Sequence, residues 1–291
     1  MPKEQELLKP KIDVVFHTLF RRKNNTLLEA MLSNILETKV KIIENLDRHL
    51  DISKSDEKLG VMDLRVRFED GMYCNIEIQL EQCKFENERF LYYLSNTYSR
   101  QLERGTEYEQ INKTISIAII DHETEALKGI DNLNIRWQMR DNATGSRMLI
   151  DRFELVIIEL PKAKRIYKSN SDNKISQWMM FLDNPNSKEV EKIMDKNENI
   201  REAGNELKEV SGDYELRRIA ELKEKYIRDE HARYSYAMEK GMEKGIQRGI
   251  EKGVKETTDK IVKNMLKLNI KIEVVAETTG LSVEEILNMK Q

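Results

Sequence analysis

Val61–Leu80 reads VMDLRVRFEDGMYCNIEIQL, and this stretch decides the fold. It predicts a β-hairpin, with Glu69-Asp70-Gly71 as turn chemistry between two runs of strict alternation. Met62, Leu64, Val66 and Phe68 are the apolar set of the first run. Met72, Cys74, Ile76, Ile78 and Leu80 are that of the second. A two-residue loop at Asp70-Gly71 would set Phe68 against Tyr73, apolar against polar along the whole ladder. A three-residue loop sets Phe68 against Met72 and keeps both apolar sets on one side. Gly71 then takes the positive-φ position that closes a type I turn with a G1 bulge. In that register Asp63 falls opposite Glu77 on the other face, with Gln79 next along the strand.

Two carboxylates and an amide are therefore expected on one face, near the hairpin ends away from the turn. Cross-strand partners lie about 4.5–5.5 Å apart at Cβ. Carboxylates that close repel unless one is protonated or a cation lies between them. A hard divalent ion such as Mg²⁺ or Mn²⁺ takes one or two protein carboxylates and keeps water for its other positions, which is a phosphodiester-cleaving site in outline. The same residues also read as a solvated face on which Arg65 and Arg67 neutralise the acids. On spacing alone that second reading is favoured, because alternating charged strands are common.

Asp63 followed by Glu77-Ile78-Gln79 in the next strand resembles the PD-(D/E)XK nuclease pattern. More narrowly, the chain resembles the recombination-promoting nuclease (Rpn) family, also described as transposases. Asp13-Val14-Val15-Phe16 with Phe20, Gly60-Val61-Met62-Asp63, and Arg89 with Tyr92-Tyr93 carry that resemblance. So do Gly105-Thr106-Glu107-Tyr108 and Ile158-Glu159-Leu160, all in the same order over roughly the first 160 residues. The resemblance implies an αβββαβ restriction-endonuclease-like core, hence an α/β protein with a mixed sheet. It implies Mg²⁺ (or Mn²⁺) as cofactor and DNA as substrate, with a role in recombination of mobile DNA or toxin-like phage defence. Asp63 and Glu77 are its metal ligands, Gln79 the third catalytic residue and Asp13 a further acid of the site. Met62 stands where the wider pattern has proline, and Gln79 where it has lysine. Gln79 cannot carry charge or act as a base, though its amide can orient a water.

With 291 residues the chain holds one sizeable domain plus a smaller one or a tail. The 49 basic and 52 acidic residues leave a net charge of -3, which excludes a constitutive nucleic-acid coat but permits a local basic patch. Cys74 and Cys83 make no disulfide framework, and Cys74 is expected on the apolar hairpin face. No run of 18 apolar residues occurs, and the N-terminal MPKEQELLKPK lacks an apolar signal region; a cytoplasmic protein with no membrane segment is expected. His17, His49, His122 and His231 are scattered, which argues against zinc.

Along the chain, Asp13–Phe20 is expected as a short helix capped by Asp13. Thr26–Leu36 is expected as an amphipathic helix burying Leu27, Leu28, Met31, Leu32 and Ile35. On it Glu29 reads as a surface residue more readily than as a further acid of the site. Val40–Leu46 reads as a strand. Phe85–Glu103 reads as a helix ended by Gly105, with a core stripe through Phe90, Tyr93 and Leu94 and with Arg89, Tyr92 and Arg100 toward substrate. Thr114–Ile120, TISIAII, reads as a strand buried on both faces beside the hairpin. Asn134–Arg140 and Arg152–Leu160 read as two more strands, and Pro161 as the end of the sheet. Lys162, Lys164, Arg165 and Lys168 then form the densest basic cluster, read either as a DNA-backbone contact or as a solvated exit from the domain. Asn173–Leu182 completes the nuclease-like domain, 1–185.

Residues 186–256 are expected as a charged helical region. Its repeat Glu239-Lys240-Gly241, Glu243-Lys244-Gly245, Gln247-Arg248-Gly249, Glu251-Lys252-Gly253 places a glycine every fourth residue beside Ile246, Ile250 and Val254. That face reads as a weak self-association surface, a homo-oligomer through the C-terminal helices, or as a frayed linker. Residues 257–291 resemble a helix-turn-helix with a Ser282/Glu285 capping box. Glu284 and Glu285 on the last helix favour an interaction module over a DNA reader. Two functions follow: a Mg²⁺-dependent DNA endonuclease, or an inactive nuclease scaffold that binds DNA or a protein partner.

Overall fold

The structure, a computed structural model, describes residues 6–46, 64–102, 105 and 107–288. Two helices lead: α1, Asp13–Arg21, and α2, Thr26–Leu36. Strands β1 (Ile42–Asn45), β2 (Leu64–Phe68) and β3 (Tyr73–Gln79) follow, then α3 (Glu86–Ser99) and β4 (Thr114–Ile120). Strands β5 (Ile135–Gln138) and β6 (Phe153–Glu159) complete a six-stranded sheet of order β1-β2-β3-β4-β6-β5. β3, β4 and β6 run parallel and the outer pairings are antiparallel. This is a mixed α/β fold with an αβββαβ core.

The hairpin takes the three-residue loop. Leu64 pairs with Ile76, Val66 with Cys74 and Arg67 with Tyr73. The Phe68 amide donates to the Met72 carbonyl at 2.9 Å and the Gly71 amide to the Phe68 carbonyl at 2.9 Å. Gly71 has φ +86°, and a Cβ there would meet Asn112 Oδ1 at 2.9 Å. Gly71→Ala should therefore cost about 1–2 kcal/mol through the left-handed backbone alone. A thermal midpoint equal to wild type would show that the turn does not hold the register.

Alternation then sorts the two sheet faces. Cys74, Ile76, Ile78, Ile115, Ile117, Ile119, Val156 and Ile158 face the main core with α1 and α2. Helices α4 (Leu160–Ser169), α5 (Lys174–Asp183), α6 (Lys188–Lys196) and α7 (Glu198–Ser211) add Ala163, Trp178, Val190 and Leu207 to it. Trp178 packs between Phe20, tilted at 49°, and Phe181, edge-on at 83°, with ring centroids at 6.0 and 6.1 Å. The other face packs Ala118, Ile120 and Ile157 against Phe90 of α3. TISIAII is buried at every residue because it lies inside the parallel part with helices on both sides.

Several local expectations are corrected. Asp13 is the first residue of α1 and Ile12 its cap. The helix after the hairpin stops at Ser99, with Arg100 at its end. Pro161 does not stop an element but lies in the first turn of α4, where its missing N–H costs no bond. The described residues divide into two compact units at Ile227/Arg228, so α6 and α7 belong with the sheet, past residue 185.

Helix α8, Tyr214–Lys267, gives Leu216, Ile219 and Ala220 to the core of the first unit. Within the second unit, α9 (Ile272–Thr279) and α10 (Val283–Asn288) close a small core of Val262, Val275 and Ile286. The Ser282 amide and hydroxyl each donate to Glu285 Oε2 at 2.8 Å, and the Glu285 amide donates back to Ser282 Oγ at 3.2 Å, the reciprocal capping box. Among the described residues no helix is long and apolar enough to cross a membrane.

Candidate active site

Period-two geometry brings Glu77 and Gln79 to the same face of β3, the face covered by α3. Glu77 is 1% exposed. Arg89, in the first turn of α3, donates Nη2 to Glu77 Oε1 at 2.6 Å while its guanidinium lies 5.5 Å from the Tyr93 ring centre. Burial pushes the Glu77 carboxyl above its ordinary range, and Arg89 pulls partly the other way.

The sign of this shift sets a pH dependence. A carboxyl whose folded pKa is raised keeps its proton longer when folded. In metal-free protein that contribution is full below the ordinary value of 4.5 and is lost as pH rises through the raised folded value. Melting in EDTA should show wild type losing stability relative to Glu77→Gln as pH climbs from 4.5. Parallel melting curves across that window would contradict a buried, proton-retaining Glu77.

Gln79 is fixed by its own amide nitrogen. Nε2 donates to the Glu81 carbonyl at 2.7 Å and approaches Cys83 Sγ at 3.4 Å. That leaves Oε1 as a buried acceptor with no donor among the described residues, an arrangement that costs free energy unless a ligand or water completes it.

Gln79 lines a cavity of about 200 Å³ at the C-terminal end of β3, together with Lys11, Asp13, Arg89, Lys223 and Tyr226. Asp13 Oδ2 accepts from Lys223 Nζ, and Asp13 Oδ1 accepts from the Val14 amide at 2.7 Å. Lys11 Nζ bridges Asp121 at 2.6 Å and Asp183 at 2.7 Å. Glu77 joins this wall through Arg89. The fold thus brings Asp13, Gln79 and Arg89 to one cavity. Asp63 lies outside the described residues; the register observed on β2 begins at the residue after it.

The expected nucleic-acid contacts separate. Tyr92 and Arg100 are exposed, as are Lys164 and Arg165, the last paired with Glu123. Lys162 is not part of a surface patch. It is 5% exposed, donates to the Leu127 carbonyl at 2.9 Å and lies 2.7 Å from Glu159 Oε2, an ion contact without hydrogen-bond geometry. Glu29 accepts from the Ile42 amide at 2.8 Å, so it ties α2 to β1, away from the cavity. Sequence reasoning missed Lys223 and the Glu86–His122 contact at 2.6 Å. Lys223 had a signal: it continues the buried stripe Leu216, Ile219, Ala220 of α8, where a lysine is out of character.

Among the described residues no three His, Cys, Asp or Glu side chains converge as a ready metal cluster. The oxygen donors that reach this region, beside the Cys83 thiol, are the Asp13 carboxylate and the Gln79 amide, the hard set that suits Mg²⁺ or Mn²⁺. The unpartnered Gln79 oxygen is the observation with which such an ion and its water shell fit.

A mixed sheet with αβββαβ order and an acid and amide on its third strand is a nuclease-type architecture. The family model described as PD-(D/E)XK nuclease family transposase matches residues 10–237, and the chain belongs to that family. No curated protein and no solved structure matches it.

Proposed function

We propose that the protein is a divalent-metal-dependent DNA endonuclease, with Asp63 and Glu77 as metal ligands, Gln79 orienting water and Asp13 as a further acid of the site. The observation that carries this reading is the buried Gln79 oxygen without a donor, on the strand face that also bears Glu77. A bound Mg²⁺ or Mn²⁺ lowers the pKa of a coordinated water and stabilises charge on the scissile phosphate. The chain's own part is to hold Glu77 in a water-poor position, to aim Gln79 Oε1 at a water proton, and to keep Arg89 near enough to neutralise Glu77 when no ion is present. Plasmid cleavage with Mg²⁺ and with EDTA tests it, on wild type and Asp63→Ala. Nicking that needs Mg²⁺ and Asp63 supports the reading; equal nicking by both proteins overturns it.

The family's transposase description favours recombination of mobile DNA over phage defence as the setting for the cut. Buried Cys74 and the free Cys83 suit a reducing cytoplasm.

One observation favours the scaffold alternative: Arg89 already satisfies Glu77. Titration calorimetry separates the two, since an inactive scaffold gives no Mg²⁺ heat that disappears in Glu77→Ala.

Self-association belongs to the same proposal. Met238, Met242, Ile246, Ile250 and Val254 are all exposed along α8, and a Cβ at Gly241, Gly245, Gly249 or Gly253 would meet nothing within 4 Å. In a lone helix each Gly→Ala change adds about 1 kcal/mol of helix stability. In a helix seated closely on a second copy the same methyls intervene. Changing all four to alanine is expected to dissolve the oligomer in light scattering while raising helicity. An oligomer that survives the change contradicts a glycine-lined interface.

A further inference from the structure

Lys223 enters the cavity from α8, far along the chain from the strands that define the site. Its side chain is 10% exposed and that of Asp13 17%. Burying an ammonium is costly, and one carboxylate partner seldom repays the full desolvation. Here the pair does not close a hydrophobic core; it lines a cavity with the unpartnered oxygen of Gln79. Among the described residues three cationic side chains border that cavity. Lys11 is held between two carboxylates and Arg89 is held by Glu77. Among the described residues the Lys223 ammonium contacts one carboxylate oxygen, Asp13 Oδ2, with three hydrogens to donate.

Gln79 brings no charge, so the strand itself supplies no cation for a phosphate entering the cavity. We propose that Lys223 is a catalytic residue whose ammonium binds a non-bridging oxygen of the scissile phosphate, with Asp13 holding it in place. The proposal rests on the endonuclease reading above. Lys223 transfers no proton. Water oxygen bonds to phosphorus, the bond from phosphorus to the sugar oxygen breaks, and the proton lost by water ends on the departing oxygen. Lys223 holds the negative charge that grows on the phosphoryl oxygens meanwhile. A preorganised donor in a partly dry site is suited to that task. The family match extends beyond the sheet, to residue 237, and so takes in Lys223.

Single-turnover plasmid cleavage in Mg²⁺ tests this on the full chain, with melting curves for every variant. Lys223→Met is expected to slow cleavage by about 100-fold or more. Lys223→Arg, which keeps the charge, is expected to recover part of the rate. A folded Lys223→Met protein that cleaves at the wild-type rate overturns the proposal. So does a Lys223→Arg protein no faster than a folded Lys223→Met. If Lys223→Met does not fold, Asp13→Asn with Lys223→Met removes both charges together. A rate below that of Asp13→Asn alone supports the proposal, and an equal rate overturns it. Failure of the endonuclease reading looks different: wild type and Glu77→Ala then nick equally.

Discussion

Replacing Glu77 by alanine should reduce Mg²⁺-dependent cleavage by about 1,000-fold, while the protein keeps its fold. The size follows from the several kcal/mol of charge stabilisation that a bound cation supplies, at about 1.4 kcal/mol per decade. The retained fold follows from where the charges lie. Glu77 is buried and its ionised form is disfavoured there. Its partner Arg89 has a side chain 29% exposed. Once Glu77 is gone, the guanidinium keeps its access to water, so its charge is not stranded in the interior. Rates measured beside thermal midpoints check both halves. A variant that cleaves like wild type would remove Glu77 from the site.

Lys162→Met should act the opposite way, on stability by about 3 kcal/mol or more and on DNA binding hardly at all. Glu159 is 1% exposed and accepts from the Thr124 amide at 2.6 Å and the Thr124 hydroxyl at 2.9 Å. Lys162 is the cation beside its second oxygen. Removing it leaves a carboxylate with no route to solvent, and breaking such a pair costs about 3–5 kcal/mol. Denaturant melts measure the loss. A plasmid-binding curve whose salt dependence is unchanged would confirm that Lys162 neutralises no phosphate. A stable variant with a shallower salt slope would return Lys162 to the DNA contacts.

These two residues also mark what the sequence could and could not disclose. The hairpin register was readable because Gly71 and strict alternation leave one pairing that keeps Leu64, Val66 and Phe68 with Cys74 and Ile76. TISIAII was readable because only a strand covered on both faces tolerates so continuous an apolar run. The limits of α2 followed from its apolar stripe. Pairings between distant segments were not readable. Lys162 lies in a run of basic residues that patterns as surface, and only the approach of Glu159 and the Leu127 carbonyl turns it inward. The pairing of Arg89 with Glu77 at the edge of the cavity was likewise not readable. Lys223 meets Asp13 through the packing of α8, which no local spacing encodes. The limit expected at residue 185 rests on a rise in charge along the chain, while Val190, Ile193 and Leu207 continue the same core beyond it.

A crystal soaked in Mn²⁺ tests the central claim most directly. Anomalous scattering should place the ion against Glu77 and Asp63, with Glu77 released from Arg89 and Gln79 Oε1 facing a water of the ion. Mn²⁺ bound elsewhere, with Arg89 still seated on Glu77, would contradict a metal-dependent nuclease site on this strand.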